Sequence, residues 1–382
     1  MSGWYCLAWF PALIDSDQPR YPELTLISAV GGMLICLGFV ATAQVWAWAS
    51  ALQWLVQAGL LWWLVIHATT SRLGLNRADS KSVNYSNLGW ANRLTILRGL
   101  LIAMTGGYLF QDWPPGLLVW LPGILYTLAA VIDRLDGYVA RKSGQTSLLG
   151  VELDTVFDAL GLAVAPLLAV CYGQIHWSYL LFSSAYYLFQ WGMYRRKLQG
   201  LPVHKLPPNI MRRAWAGFQM GFIGVVLFPL FTPPLTTVAG FAFMLPVLIG
   251  FCIDWLVVSG QIDRQNVVTQ KWFARAWGFN QAVMQPLLRL IVVLVVLLLI
   301  GQSDSQPEFV MLIPALMVLT GMAGRIGALI LIGLFGIYYL NHSFNMTGYV
   351  LVIGLVWILL LGSGRYSLWQ GDEAWVNRYD GA

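Results

Sequence analysis

Four aspartates carry the chemistry this sequence could perform. They stand in Asp133-Arg-Leu-Asp136-Gly137-Tyr-Val-Ala140-Arg141 and, eight residues on, in Gly150-Val-Glu-Leu-Asp154-Thr-Val-Phe-Asp158. Asp133 and Asp136 are spaced i, i+3, and Asp154 and Asp158 i, i+4, so on helices each pair shares a face. A short connection makes the two helices antiparallel neighbours, and the two faces can then meet. All-oxygen donors suit hard cations, Mg²⁺, Mn²⁺ or Ca²⁺, and four carboxylates suffice for two of them. Gly137, Ala140 and Gly150 lie one turn from these acids. Small residues there leave backbone open to a flat or phosphorylated ligand. The plainer alternative is a small-residue helix interface whose carboxylates pair with Arg134 and Arg141.

The elements that must position these groups are written in the composition. Of 382 residues, 58% are hydrophobic and only 10% are charged. Soluble domains carry about 25% charged residues, so an ordinary globular enzyme is excluded, and so is disorder. Hydropathy predicts twelve spans, near 25–48, 51–70, 92–111, 115–140, 147–172, 177–194, 214–232, 236–258, 286–302, 308–323, 325–340 and 346–363. The expected fold is all-α, a polytopic membrane helical bundle. Polar stretches at 70–91 and 259–284 divide it. The boundaries expected are 1–90, a two-span extension and polar linker; 91–258, a six-span domain holding the aspartates; 259–284, a cytoplasmic linker; and 285–382, four spans with a tail. A further 19 Trp and 16 Tyr suit the two membrane interfaces.

Charge sets the orientation. With both termini on one side, Arg72, Arg77, Lys81, Arg141, Lys142, Arg195, Arg196, Lys197, Lys205, Arg212, Arg213, Arg264, Lys271, Arg275 and Arg365 fall on that side. The opposite loops hold only Asp112, Asp304 and Glu308. Cytoplasmic loops accumulate Lys and Arg, so the aspartates are expected at the cytoplasmic face of a multi-pass membrane protein. The net charge of +5 suits anionic headgroups; no basic run with interleaved aromatics points to nucleic acid. Cys6, Cys36, Cys171 and Cys252, like His67, His176, His204 and His342, show no ligand spacing. The apolar stretch from Trp4 to Leu13 is short, has no basic flank or cleavage site, and is not expected to be a removable signal.

The pattern D-x2-D-G-x2-A-R-x8-G-x3-D-x3-D resembles the signature of the CDP-alcohol phosphotransferase (CDP-alcohol phosphatidyltransferase) family, with every fixed position matched. The resemblance implies a six-helix core over about 92–258 and transfer of a phosphoalcohol group from a CDP-linked donor to an alcohol, with release of CMP. In phospholipid-making members the donor is CDP-diacylglycerol. It further implies two divalent cations, Mg²⁺ or Mn²⁺, with Ca²⁺ as another occupant. Asp133, Asp136 and Asp154 match the metal ligands. Asp158 matches the general base and a further metal contact. Gly137, Ala140 and Gly150 match the nucleotide pocket, and Arg141 its phosphate-binding arginine. Upstream, Asn92-Arg93-Leu94-Thr95-Ile96-Leu97-Arg98 resembles the family's first-helix Asn-Leu-Leu-Thr-x-x-Arg, which makes Asn92 a nucleotide-site candidate. Arg93 stands where the family has an apolar residue.

The acceptor is less legible. The stretch from Arg195 to Arg213 holds six basic residues in nineteen and is expected to face the metal site. An acceptor carrying phosphate would need such cations, which makes Arg213, Arg212 and Lys205 candidates, with Gln219 nearby. The same charges also suit simple attraction to anionic lipid. Asp254 is an intramembrane acid, a functional candidate or an arginine's partner. The last four spans, ending in Leu360-Leu361-Gly362-Ser363-Gly364-Arg365-Tyr366-Ser367-Leu368, resemble the four-helix module of the DoxX-like family in that tail and in layout. The partners expected are a CDP-linked lipid donor, an alcohol and membrane lipid, with a homodimer compatible. A cation transporter using the same aspartates is the alternative function, but transport favours acids on broken helices near mid-membrane.

Overall fold

Apolar runs with almost no charge can satisfy their backbone in lipid only as helices, and helices are what the chain forms. The computed structural model describes residues 21–206, 210–264, 266–301, 306–340, 342–369 and 371. Trp4–Leu13, Cys6 and Asp304 lie outside the described residues, as do the side chains of Arg213 and Glu308. The helices are α1 (Pro22–Ala43), α2 (Trp48–Thr70), α3 (Gly89–Gly106), α4 (Leu121–Ser143), α5 (Leu148–Cys171), α6 (Leu180–Leu198), α7 (Ile210–Val226), α8 (Leu235–Val258), α9 (Val267–Phe279), α10 (Gln285–Gly301), α11 (Leu312–Thr320), α12 (Gly324–Tyr339) and α13 (Met346–Leu361). Every expected span falls on one of them. Six helical stretches are long and apolar enough to cross a membrane: Pro22–Ala43, Trp48–Thr70, Gly116–Ser143, Leu148–Cys171, Leu235–Val258 and Val267–Gly301. The other apolar helices are shorter. No strand occurs among the described residues.

Two differences from the hydropathy pattern have local causes. The span expected over 308–323 is a 3₁₀ turn (Gln306–Met311) followed by the short α11, because Gly321 adopts a left-handed φ of 70° and ends the helix. The stretch 259–284, expected as a linker, folds into α9. Asn266 caps its start, accepting from the Val268 N–H at 2.9 Å, and a π-turn over Asn280–Met284 carries it on into α10.

The chain divides into two units: the chain to Ser183 with Met220–Leu230, and Ser184–Gln219 with Phe231 onward. In the first unit α3 is the hub, packed against α2, α4 and α5, with α1 covering α2. Gly99 permits this: a Cβ there would lie 2.7 Å from Val65 of α2 and 3.3 Å from Phe157 of α5. The buried Ile96, Leu100, Ala103, Leu149, Leu153, Phe157 and Leu160 form the interior on those faces. In the second unit α10 packs on α11 and α13, α12 on α11 and α13, and α13 on α8. Indole N–H groups tie the helices across: Trp215 to the Leu360 carbonyl at 2.9 Å, and Trp357 to the Ala242 carbonyl at 3.2 Å.

Candidate active site

The aspartates sit on α4 and α5, which the Gln145–Ser147 turn joins after Gly144 ends α4 in the left-handed region (φ 66°). Ser147 caps α5, accepting from the Gly150 N–H at 3.0 Å. The Leu148 N–H finds the Arg77 carbonyl at 2.9 Å. Two of the donors that any helix start leaves open are thereby satisfied. The first turn of α5 is fixed, and with it Asp154 one turn on and Asp158 one turn beyond.

Three carboxylates converge. Oxygens of Asp133, Asp154 and Asp158 all lie within 4.8 Å of one another. Behind them stands Arg98 of α3, whose side chain is 1% exposed. Its Nη1 contacts Asp133 Oδ1 and reaches Asp154 Oδ1 at 3.0 Å. Its Nη2 donates to the Asp154 carbonyl at 3.0 Å and lies 3.3 Å from Asp158 Oδ1. Asp154 and Asp158 keep about half their side-chain surface exposed, so the cluster is backed by a cation and open in front. Asp136 is not one of that trio: it is buried, and its Oδ2 accepts from Thr95 Oγ1 at 2.8 Å.

The donor set fits a hard divalent cation. Its three converging groups are all carboxylates, and Arg98, which pairs with each of them, brings one positive charge against their three. Such a trio favours added positive charge.

The small residues line the same corner. Arg141 folds back over Gly137, where a Cβ would lie 3.3 Å from Arg141 Nη1, and its side chain remains exposed with Ala140 half-buried beside it. Gly150 abuts Asn92: a Cβ there would lie 2.7 Å from Asn92 Oδ1. Asn92 is buried, donating to the Leu88 carbonyl at 2.7 Å and to Asn76 Oδ1 at 3.2 Å, and its amide bonds with Ser147 Oγ at 3.1–3.2 Å. Asn76, fully buried, donates onward to the Asn87 carbonyl at 2.8 Å. Thus Asn92 reaches Gly150 through packing and the α5 cap through hydrogen bonds.

Arg98, Thr95, Asn76 and Ser147 are functional candidates that the sequence reading did not single out. Arg98 and Thr95 carry a signal, since with Asn92 they fall at i, i+3 and i+6 on α3. Asn76 and Ser147 carry none beyond being polar.

In the second unit, Arg212 Nε lies 3.0 Å from Asp254 Oδ2, with Asp254 7% exposed. The intramembrane acid therefore has an arginine partner. Lys205 is exposed, and Gln219 is buried with its amide donating to the Phe243 carbonyl at 2.9 Å.

Residues 88–253 match the family model of CDP-alcohol phosphatidyltransferase, and the whole aspartate signature lies inside the matched stretch. No curated protein and no solved structure matches the chain.

Proposed function

We propose that the domain transfers a phosphatidyl group from CDP-diacylglycerol to an alcohol, releasing CMP, as a step of phospholipid synthesis at the cytoplasmic face. What supports this most is the convergence of Asp133, Asp154 and Asp158 within the segment that the family model matches. The catalytic domain is taken as residues 91–258, with 1–90, 259–284 and 285–382 as extension, linker and C-terminal module.

The reaction balances simply. The acceptor oxygen forms a bond to the phosphorus of the phosphatidyl group, the P–O bond to CMP breaks, and CMP leaves with the electron pair. Asp158, half-exposed at the open side of the cluster, takes the hydroxyl proton; a general base must lie within about 3 Å of that proton's oxygen or act through one water. Arg141 beside Gly137 offers a charge-assisted contact to the donor phosphates. Gly137, Ala140 and Gly150 let the cytidine lie against bare backbone. Arg98 and Thr95 hold the carboxylates in place. One or two divalent cations, Mg²⁺ or Mn²⁺, held by Asp133, Asp154 and Asp158 with Asp136, would neutralise the pyrophosphate. Lys205, Arg212 and Arg213 are the contacts offered to a phosphorylated acceptor, Arg212 standing beside Asp254.

Cation transport, the other reading of the same acids, sits badly with a buried guanidinium against three of them. The test is release of CMP by purified protein from CDP-diacylglycerol, with Mg²⁺ or Mn²⁺, across a panel of alcohols. Release with at least one alcohol, lost in Asp133→Asn, is expected. Equal release by Asp133→Asn and the parent protein would remove the aspartate cluster from the mechanism.

A further inference from the structure

The C-terminal helices bury a cation of their own. Arg289, one turn into α10, is 5% exposed. Its Nη2 donates to the Tyr366 carbonyl at 3.3 Å, while Nε and Nη1 are buried without a hydrogen-bond partner among the described residues. A guanidinium stays protonated at any working pH, so this charge cannot be shed as a lysine's could. Left unpaired in apolar surroundings it is strongly unfavourable.

The surroundings are shaped around it. Gly321, in the left-handed region at the end of α11, presents a bare Cα; a Cβ there would strike both Arg289 Nη1 and the Ser367 side chain. Ser367 Oγ is itself buried and has no partner among the described residues. The segment that carries Ser367 is strapped down, with the Arg365 N–H on the Gln281 carbonyl at 3.2 Å and the Leu368 N–H on the Thr320 carbonyl at 3.0 Å. A second buried arginine, Arg325 at the start of α12, is 7% exposed and donates to the Leu359 carbonyl at 3.0 Å. Its neighbour Gly324 abuts Ser363 of the same strap. Between Gln285 and Trp369 the only acids are Asp304 and Glu308. They follow Gly301, about 18 Å of helix rise from Arg289.

We propose that Arg289, with Ser367, forms a buried anion site that takes a phosphate group. A planar guanidinium with two unpartnered nitrogens and a neighbouring hydroxyl suit an anion with several oxygens better than a spherical halide. The group could come from a phospholipid headgroup or from free phosphate. This site shares no residue with the aspartate cluster and does not depend on the transfer reaction.

The test uses the full chain, purified in detergent, stripped of lipid and held in chloride buffer. Thermal midpoints are compared on adding inorganic phosphate at matched ionic strength, or short-chain phosphatidylglycerol. A rise of several degrees with either is expected; phosphatidylglycerol alone names a headgroup, and inorganic phosphate names the free ion. Arg289→Met should abolish that rise and, in chloride, melt no lower than the parent, because it replaces an uncompensated charge with an apolar chain of similar length. Ser367→Ala should fold and bind several-fold more weakly, which keeps the test decisive if Arg289→Met fails to fold. No rise with either additive, or a rise that survives in Arg289→Met, would overturn the proposal. So would equal destabilisation in chloride by Arg289→Met and by the double variant Asp372→Asn/Glu373→Gln, which would make a carboxylate of the chain's own tail the counterion.

Discussion

Replacing Arg98 with methionine measures how far the aspartate cluster depends on the cation behind it. The guanidinium is 1% exposed and touches carboxylates that differ in burial: Asp133 at 20% side-chain exposure, Asp154 at 49% and Asp158 at 51%. Contacts to half-hydrated carboxylates are worth about 0–1 kcal/mol each, since water and salt screen them. Breaking a buried pair by deleting one partner costs about 3–5 kcal/mol, because the other charge is left uncompensated. Only Asp133 approaches that second case. The expected loss for Arg98→Met without metal is therefore about 3 kcal/mol, at the low end of the buried range and carried almost wholly by Asp133.

A double-mutant cycle with Asp133→Asn isolates that share. The coupling should be about 1–3 kcal/mol, within the range found for residues in one charged network. Unfolding is followed in EDTA and again in Mg²⁺. The variant should gain more from Mg²⁺ than the parent does, because added positive charge replaces what was removed. Activity should fall as well, since the carboxylates lose their fixed spacing. An Arg98→Met protein within about 0.5 kcal/mol of the parent in EDTA, the usual bound for an inconsequential substitution, would refute the counterion role. Zero coupling to Asp133 would refute it too.

Asp158→Asn should lower kcat by about 10²–10⁴ and leave donor affinity nearly unchanged; Arg141→Ala should instead weaken donor binding roughly tenfold, the worth of one charge-assisted hydrogen bond. Steady-state kinetics at saturating Mg²⁺ separates the two, and a normal kcat in Asp158→Asn would move the base elsewhere. Gly150→Ala places a Cβ 2.7 Å from Asn92 Oδ1, an overpacking expected to cost about 1–3 kcal/mol. The thermal midpoint should drop and should partly recover in Gly150→Ala/Asn92→Ala; no drop would mean the first turn of α5 yields freely. For topology, single cysteines are introduced after Cys6, Cys36, Cys171 and Cys252 are replaced. An impermeant reagent applied from outside should label position 112 but not 142 or 271, and labelling at 142 would invert the orientation.

The aspartates were legible because helical periodicity alone decides that Asp133 and Asp136, or Asp154 and Asp158, share a face. Their counterion was not. Arg98 ends the Asn92-to-Arg98 motif, but nothing local names its partners, which exist only because α3 packs against both α4 and α5. The nearby Arg134 and Arg141 offered a local pairing, but the structure brings Arg98 to the carboxylates from 35 residues away in the case of Asp133. Asp136 shows the same limit: its spacing marks it as a ligand, and only tertiary packing sets Thr95 against it. The helix positions read well because apolar length is a property of the sequence itself. The short α11 and the helical α9 read poorly because they turn on one glycine conformation and one asparagine cap.

Asn92 shows how the N-terminal extension enters the site. The family resemblance makes it a nucleotide-pocket candidate, yet its amide is occupied by Leu88, Asn76 and Ser147. Its effect on a ligand must then pass through what it holds, the cap of α5 and the glycine beneath it. Asn76 and the Arg77 carbonyl come from the polar stretch after α2, and Tyr85 of the same stretch donates to the Thr146 carbonyl at 3.2 Å. Tyr21, just before α1, in turn donates to the Tyr85 carbonyl at 2.9 Å. A buried polar network of this kind is stabilising only when its members are satisfied together. The first two helices and their loop are thus part of what fixes the start of α5, and through it the positions of Asp154 and Asp158.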